Sequence, residues 1–281
     1  PFMYNYNRHN EFNVNNGLIR AQLQYGNAYA SIAVHAGTYV DDNYASEDIK
    51  LISEAYVGMY LNDNKKSSIE VGIMPSYIGF ESATTATNLT LTRSILAENS
   101  PYFMTGIKYN YKPNDKWSFS GLVTNGWQRI NKPDKTVAPA LGTQVVYKPS
   151  EKATLNWSTF IGKEFYGTEL AMRYFSNLYW DNTWNSKWRT ILGFDFGIQD
   201  SSSMNDEHLF WMSPVFIAQY SINPKWQTAV RVEYYQDEDN VIVATSDAFK
   251  TSGASINFDY LLNSKVKLRS EARYFDSKEA I

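Results

Sequence analysis

Polar and apolar side chains alternate along most of this chain. Over residues 226–234, Trp226, Thr228, Val230, Val232 and Tyr234 share one parity, while Gln227, Arg231 and Glu233 share the other. Over 266–274, Val266, Leu268, Ala272 and Tyr274 alternate with Lys267, Arg269, Glu271 and Arg273. A period of two sends successive side chains to opposite faces, so each run predicts a β-strand with one apolar and one polar face. Trp188, Thr190, Leu192, Phe194 and Phe196 separate in the same way from Arg189, Ile191, Gly193 and Asp195, and Ile69, Val71 and Ile73 from Glu70 and Gly72. About fourteen strands are predicted, starting near residues 11, 28, 49, 67, 102, 116, 140, 154, 167, 187, 209, 225, 249 and 265. Two are irregular. Parity slips at Asn15-Asn16-Gly17, which predicts a bulge, and residues 209–220 alternate poorly around Pro214, which cannot donate to a ladder.

The links carry further information. Gly26-Asn27, Asn62-Asp63-Asn64-Lys65, Pro113-Asn114-Asp115, Pro149-Ser150-Glu151, Asn223-Pro224 and Asn263-Ser264 are turn-forming clusters that close hairpins in a few residues. Between them fall longer links at 38–48, 75–101, 125–139, 200–207 and 236–248. Short and long links alternate, and only 161–166 and 178–186 blur the rule. A soluble sandwich has no reason to sort its links in this way, whereas a transmembrane barrel has short periplasmic turns at one end and long extracellular loops at the other. Strands of roughly 9–11 residues suffice to cross the hydrocarbon layer. The predicted fold is therefore an all-β, antiparallel transmembrane β-barrel occupying residues 1–281 as a single domain. Such barrels usually begin and end at the periplasm with an even strand count, which predicts one further strand at each end and sixteen in all. The absence of a terminal aromatic after Ala280-Ile281 agrees.

The charges fit an inside-out arrangement. Arg20, Glu54, Glu70, Lys108, Glu169, Arg173, Arg189, Asp195, Arg231, Glu233, Asp259, Arg269, Glu271 and Arg273 fall within predicted strands. In a dry core each would cost several kcal/mol. They are expected to line a wet lumen, with the basic residues forming a ladder opposite Glu54, Glu70 and Glu169, or else pairing to stiffen the wall, the reading we favour. Tyr60, Tyr102, Tyr111, Trp117, Tyr147, Tyr179, Trp180, Trp184, Trp188, Tyr220, Trp226, Tyr234, Tyr235 and Tyr260 lie near strand ends, where rings prefer the headgroup boundary. The competing reading is a soluble sandwich with these rings in its core and the charges on its surface.

Composition narrows the classes. The 281 residues include no Cys and no apolar run long enough for a membrane-spanning helix. A formal net charge of −3 is unlike the basic surface of a nucleic-acid binder. No signal peptide is visible at Pro1-Phe2-Met3-Tyr4.

Several stretches carry a family resemblance. Gly72-Ile73-Met74-Pro75-Ser76-Tyr77-Ile78-Gly79-Phe80-Glu81-Ser82, the run Leu91-Thr92-Arg93-Ser94-Ile95-Leu96-Ala97-Glu98-Asn99-Ser100-Pro101-Tyr102, Asn114-Asp115-Lys116-Trp117 and Asn125-Gly126-Trp127-Gln128 together resemble the β-barrel porin type 2 family of Bacteroidota outer membranes. Residues 5–13 and Ala36-Gly37-Thr38-Tyr39 look like its amino-terminal part. The resemblance implies an outer-membrane porin and names no solute.

The longest link, 75–101, is expected to fold into the lumen, with a short helix over 88–98 presenting Leu91, Ile95 and Leu96 on one side. Glu81, Arg93 and Glu98 would then form the pore constriction, a filter of fixed charge. The bland alternative is an external loop. The acidic tips Asp41-Asp42, Asp206-Glu207 and Asp237-Glu238-Asp239 lack the spacing of a calcium motif and are read as solvated. His9, His35 and His208 are the available imidazoles, and no catalytic motif accompanies them, so no enzyme, cofactor or metal site is expected. Expected partners are outer-membrane lipids and small hydrophilic solutes, with a homo-oligomer or surface partner left open. The alternative function is an anchor or docking barrel with a plugged lumen, in which exposed loop residues such as Trp127 meet a partner.

Overall fold

The computed structural model describes residues 2–132, 137–201 and 207–277. It contains fourteen strands: β1 (Gly17–Tyr25), β2 (Ala28–Ala36), β3 (Ile52–Tyr60), β4 (Ser67–Pro75), β5 (Phe103–Tyr111), β6 (Trp117–Thr124), β7 (Ala140–Ser150), β8 (Ala153–Tyr166), β9 (Glu169–Thr183), β10 (Trp188–Ser201), β11 (Glu207–Ser221), β12 (Trp226–Asp237), β13 (Phe249–Leu261) and β14 (Lys267–Ser277). Each pairs antiparallel with its neighbours in sequence, giving one sheet in the order β1 to β14. No β1–β14 pairing occurs among the described residues. Two short helices, α1 (Thr38–Asn43) and α2 (Ile95–Glu98), sit in the long links.

Burial shows which face looks where. Leu192, Val232 and Leu268 are each more than half exposed, whereas Asp195, Arg231 and Asp259 on the opposite parity are at most 2% exposed. Greasy residues outside and charged ones inside reverse the packing of a soluble domain, as lipid demands. Along the outer wall at the short-turn end, Trp117 stacks on Tyr147 with ring centres 4.4 Å apart, and Trp188 meets Tyr220 at 4.7 Å and Trp226 meets Tyr260 at 4.8 Å with tilted rings. These cross-strand pairs form an interfacial girdle. Tyr102, Tyr179 and Tyr235 do not belong to it. Tyr102 follows a long link, Tyr179 meets Phe80 inside the barrel, and Tyr235 packs within the inner apolar cluster.

Several expectations need correction. The parity slip at residues 15–17 marks the start of β1 rather than a bulge, because Asn15 is bonded elsewhere: its Oδ1 accepts from Tyr6 N and its Nδ2 donates to Asn5 Oδ1. Pro214 sits within a full-length strand, opposite Phe194. The β11–β12 register breaks at Ser213 and Pro214, and the Ser213 hydroxyl donates to Tyr234 O at 2.8 Å, compensating for the irregular ladder. Links 161–166 and 178–186 blur the alternation because β8 and β9 run further than expected. A two-residue turn at Gly167, with φ +60°, joins them at the long-loop end. Ala280-Ile281, residues 133–136 of link 125–139 and Asp206 lie outside the described residues.

Candidate functional site: a segment threaded through the barrel

The link between β4 and β5 enters the barrel and is bonded to two stretches of its inner wall. On leaving β4 it first meets β7–β9. Tyr77 donates its hydroxyl to Thr159 O at 2.6 Å, and Tyr77 O accepts from Gln144 Nε2 and Ser158 Oγ, both at 2.9 Å. Gly79 N donates to Asn177 Oδ1 at 3.2 Å. Two inward glycines make room: a Cβ at Gly142 would fall 2.2 Å from the Tyr77 hydroxyl oxygen, and one at Gly193 would fall 2.5 Å from the Phe80 ring. Leu89 and Leu96 then pack on Ile191, Val215 and Ile217, so this part of the inner wall is apolar where protein covers it.

The segment next reaches β12–β14. Arg269 donates to Thr85 O at 2.6 Å and Asn88 O at 3.0 Å while paired with Asp259. Leu91 N donates to Asn257 Oδ1 at 3.0 Å, Thr92 N to Glu271 Oε2 at 2.7 Å, and Ile95 N to Glu233 Oε2 at 2.7 Å. The fully buried Arg231 guanidinium bonds Thr90 Oγ1, Thr92 O and Thr92 Oγ1 on the segment and Glu233 and Glu271 on the wall. Arg273 adds a bond to Arg93 O at 2.9 Å and pairs with Glu233 at 2.7 Å. Wall side chains thus satisfy backbone groups that a helix would have satisfied internally. This corrects the expected helix over 88–98: only Ile95–Glu98 is helical, with Ser94 Oγ accepting from Ala97 N as its N-cap. Leu91 does not share an apolar face with Ile95 and Leu96: Leu89 and Leu96 pack on the wall, and Ile95 joins the inner cluster with Met104 and Phe160.

Glu81, Arg93 and Glu98 occupy different settings. Glu81 Oε2 accepts from Ser94 N at 3.0 Å and from the Ser94 hydroxyl, while its Oε1 is unbonded. Arg93 stacks 3.7 Å above the Tyr102 ring and donates Nη2 to Ala97 O. Its Nε and Nη1 have no partner. Glu98 holds the amino-terminal stretch inside the barrel, accepting from Tyr4 N at 2.7 Å, Asn5 Nδ2 at 2.9 Å and the Tyr102 hydroxyl at 3.1 Å. Burial pushes its carboxyl above the ordinary range, against the pull of Arg93. Two cavities flank the segment. One of about 300 Å³ is lined by Arg20, Glu54, Glu81, Arg93 and Tyr102. The other, about 390 Å³, is lined by Glu98, Trp127, Arg129, Glu164 and Arg173.

The wall charges form local pairs rather than a ladder facing a carboxylate patch. Arg20 pairs with Glu54, whose Oε2 also accepts from Ser31 Oγ at 3.0 Å. Tyr29 donates to Glu70 at 2.8 Å, and Lys108 stands 3.9 Å from the same carboxylate. Arg189 meets Asp181 at 2.6 Å near the short-turn end, and Asp195 accepts from Asn177 at 2.5 Å. Glu169 is the first residue of β9, at the rim, and belongs to a different arc from Glu54 and Glu70. Basic residues find their acids on the neighbouring strand, as Lys108 and Arg189 do, or two strands along the same wall, as Arg20 does, instead of across the lumen.

A family model described as "Putative beta-barrel porin-2, OmpL-like" matches residues 1–281. The chain belongs to that porin family. Solved structures with the same fold include the outer membrane channel DcaP of Acinetobacter baumannii, at 12% identity and TM-score 0.64, covering 94% of this chain and 82% of that one. An anion-selective porin from Comamonas acidovorans matches at 11% identity and TM-score 0.62, covering 95% and 80%. OmpT of Vibrio cholerae in a trimer form matches at 12% and 0.61, covering 93% and 80%. No curated protein matches the sequence. The protein is an outer-membrane β-barrel of the porin family.

Other candidates in this porin-family chain resolve into structural roles. His35 Nε2 lies 3.0 Å from Lys50 O beneath Tyr44, His208 pairs with Asp200 on exposed strand residues, and His9 is exposed. Asp237 is no solvated tip: its carboxylate accepts from Val241, Ile242 and Val243 N, each at 2.8 Å. It thereby folds link 238–248 inward. Asp41 pairs with Lys50, Asp42 with Arg8, and Glu238 with Lys250. No metal-ligating cluster occurs among the described residues. Trp127 is not an exposed contact point, since it packs against Phe160 at 5.1 Å and Phe175 at 4.8 Å. The sequence reading missed Thr90, Thr92, Asn177 and Asn257. For Asn177 and Asn257 the inward parity of Asp195 and Asp259 on neighbouring or common strands was the available signal.

Proposed function

We propose that the protein is a passive outer-membrane porin for small hydrophilic solutes, whose path runs between the threaded segment and the β1–β4 wall. The observation that carries this reading is the polar cavity of about 300 Å³ between Arg20 and Glu54 on the wall and Glu81 and Arg93 on the segment. Fixed charges of both signs at a narrowing orient polar solutes and hold water. Glu81 and Arg93 are the constriction in this account, and Glu98 supports it from behind by fixing the amino-terminal stretch. Lumen water is met by Arg20, Glu70 and Lys108, with Glu54 buried behind Arg20, while Arg231, Glu233, Asp259, Arg269, Glu271 and Arg273 anchor the segment. The edges of β1 and β14 are unpaired among the described residues, and since lipid supplies no partner for an open ladder, a working pore needs both edges paired. The host we propose is a Bacteroidota outer membrane and the assembly a homo-oligomer, as in the trimer form of Vibrio cholerae OmpT, which shares the fold.

A second reading, an anchor or docking barrel with a sealed lumen, draws on the apolar cluster inside the long-loop end, where Phe2, Trp127, Tyr235, Val241, Val243 and Phe249 meet. Swelling of liposomes carrying the purified protein separates the two. Entry of small sugars supports the porin, and no entry of any solute supports the anchor.

A further inference from the structure

The cavity on the long-loop side of the threaded segment contains a cation whose outer edge is unused. Arg173 on β9 is 4% exposed and faces inward. Its guanidinium carbon lies 5.3 Å from the centre of the Trp127 ring and 5.6 Å from that of Trp211, so two indoles fix its position. Nε donates to Gln199 Oε1 at 2.7 Å. Gln199 is itself fixed, donating Nε2 to Glu164 O at 2.9 Å. The two terminal nitrogens, Nη1 and Nη2, donate no hydrogen bond among the described residues. A buried guanidinium normally spends its terminal donors on a carboxylate or on carbonyls, as Arg231 and Arg269 do in this barrel.

The carboxylate that acts most strongly on Arg173 is already committed. Glu164 accepts from Trp127 N at 2.5 Å and from Arg129 Nε at 3.2 Å, and its ion pair is with Arg129. Glu98, also on the cavity wall, is bonded to the amino-terminal stretch and to the Tyr102 hydroxyl. Asp237, which also acts on Arg173, is bonded to the Val241, Ile242 and Val243 amides, so no carboxylate bonds the Arg173 terminal nitrogens among the described residues.

We propose that the cavity of about 390 Å³ around Arg173 binds a small organic monocarboxylate, held through the Arg173 terminal nitrogens, as a capture site on the long-loop side of the pore. The volume is within the range of small-molecule pockets. The planar pair of terminal nitrogens matches a carboxylate and is wasted on a spherical ion. This deepens the porin reading and rests on it only for the statement that the site lies on a solute path.

Calorimetric titration of the purified full chain in detergent tests the site, using lactate, its neutral isostere lactamide, and chloride. Lactate should bind saturably and at least tenfold more tightly than lactamide or chloride, with a matching change in tryptophan fluorescence from Trp127 and Trp211. Arg173→Gln should weaken lactate at least tenfold. Arg173→Lys, which keeps the charge and loses the fork, should weaken it severalfold and keeps the test decisive should the glutamine variant fail to fold. Equal binding of lactate and lactamide, chloride binding as tight as lactate, or undiminished lactate binding by both variants would each overturn the proposal. Saturable lactate binding in a protein that swells no liposomes would keep the site and remove the porin reading.

Discussion

The two halves of the wall use one alternating pattern for different ends. From β1 to β6 the strands have 8 or 9 residues, roughly 30 Å of chain, while β8 to β13 have 12 to 15, or up to roughly 50 Å. The short arc is just tall enough for the apolar band of an outer-membrane barrel, and the tall arc rises beyond it. Their inner faces differ as well. On the short arc the inner face is mixed: Ser31 and Glu54 are buried, while Lys108, Ser118 and Ser120 are only half-buried. On the tall arc, Asn156, Ser158, Asn177, Ser213 and Arg231 are each at most 1% exposed, most of them bonded to the threaded segment or to one another. An inward polar residue is therefore not by itself a pore-lining residue. Its neighbour, water or protein, decides whether it conducts or fastens.

The contrast can be broken by mutation. The largest effect is expected at the fastening on the tall side: Arg231→Met removes the cation that joins Thr90 and Thr92 to Glu233 and Glu271 and leaves both carboxylates buried. Breaking such a buried pair costs about 3–5 kcal/mol. Denaturant unfolding should show that loss, and the freed segment should raise single-channel conductance several-fold. A smaller effect is expected at Gly193→Leu, which pushes Phe80 off the wall and should cost about 1–3 kcal/mol by overpacking, with a noisier and wider channel. The smallest stability effect is expected on the short side. Glu54→Gln unpairs Arg20, which water already reaches, so stability should change by about 1 kcal/mol or less. Reversal potentials in a salt gradient should nevertheless move toward anion preference, because the freed cation faces the proposed path.

These expectations mark how far the sequence could be read. Strand number, strand parity and the inward placement of Arg231, Asp259 and Glu271 were legible because a two-residue period is a local property of the chain. The fastening was not, because Thr90 and Arg231 are 141 residues apart and nothing in the neighbourhood of either specifies the contact. The same limit explains the misplaced helix. Leu91 and Thr92 donate their backbone N–H groups to remote Asn257 and Glu271 rather than within the segment. Tyr235 and Trp127 were misassigned for a related reason: an aromatic near a strand end reads as a girdle residue until the inward fold of links 125–139 and 236–248 is known. Pairing of the wall charges could be anticipated, but the partners required register.

The central claim is that apolar parity faces lipid and polar parity faces the interior, water on the short arc and protein on the tall one. A chain with no native Cys allows this to be measured directly by single cysteine substitution and spin labelling in bilayers. Labels at Leu192, Val232 and Leu268 should be relaxed strongly by oxygen dissolved in lipid and weakly by a water-soluble nickel chelate. Labels at Lys108 and Ser120 should show the reverse, and a label at Asn177 should be shielded from both. Equal relaxation at Leu192 and Lys108 by the two agents, or chelate access at Leu192, would contradict the account.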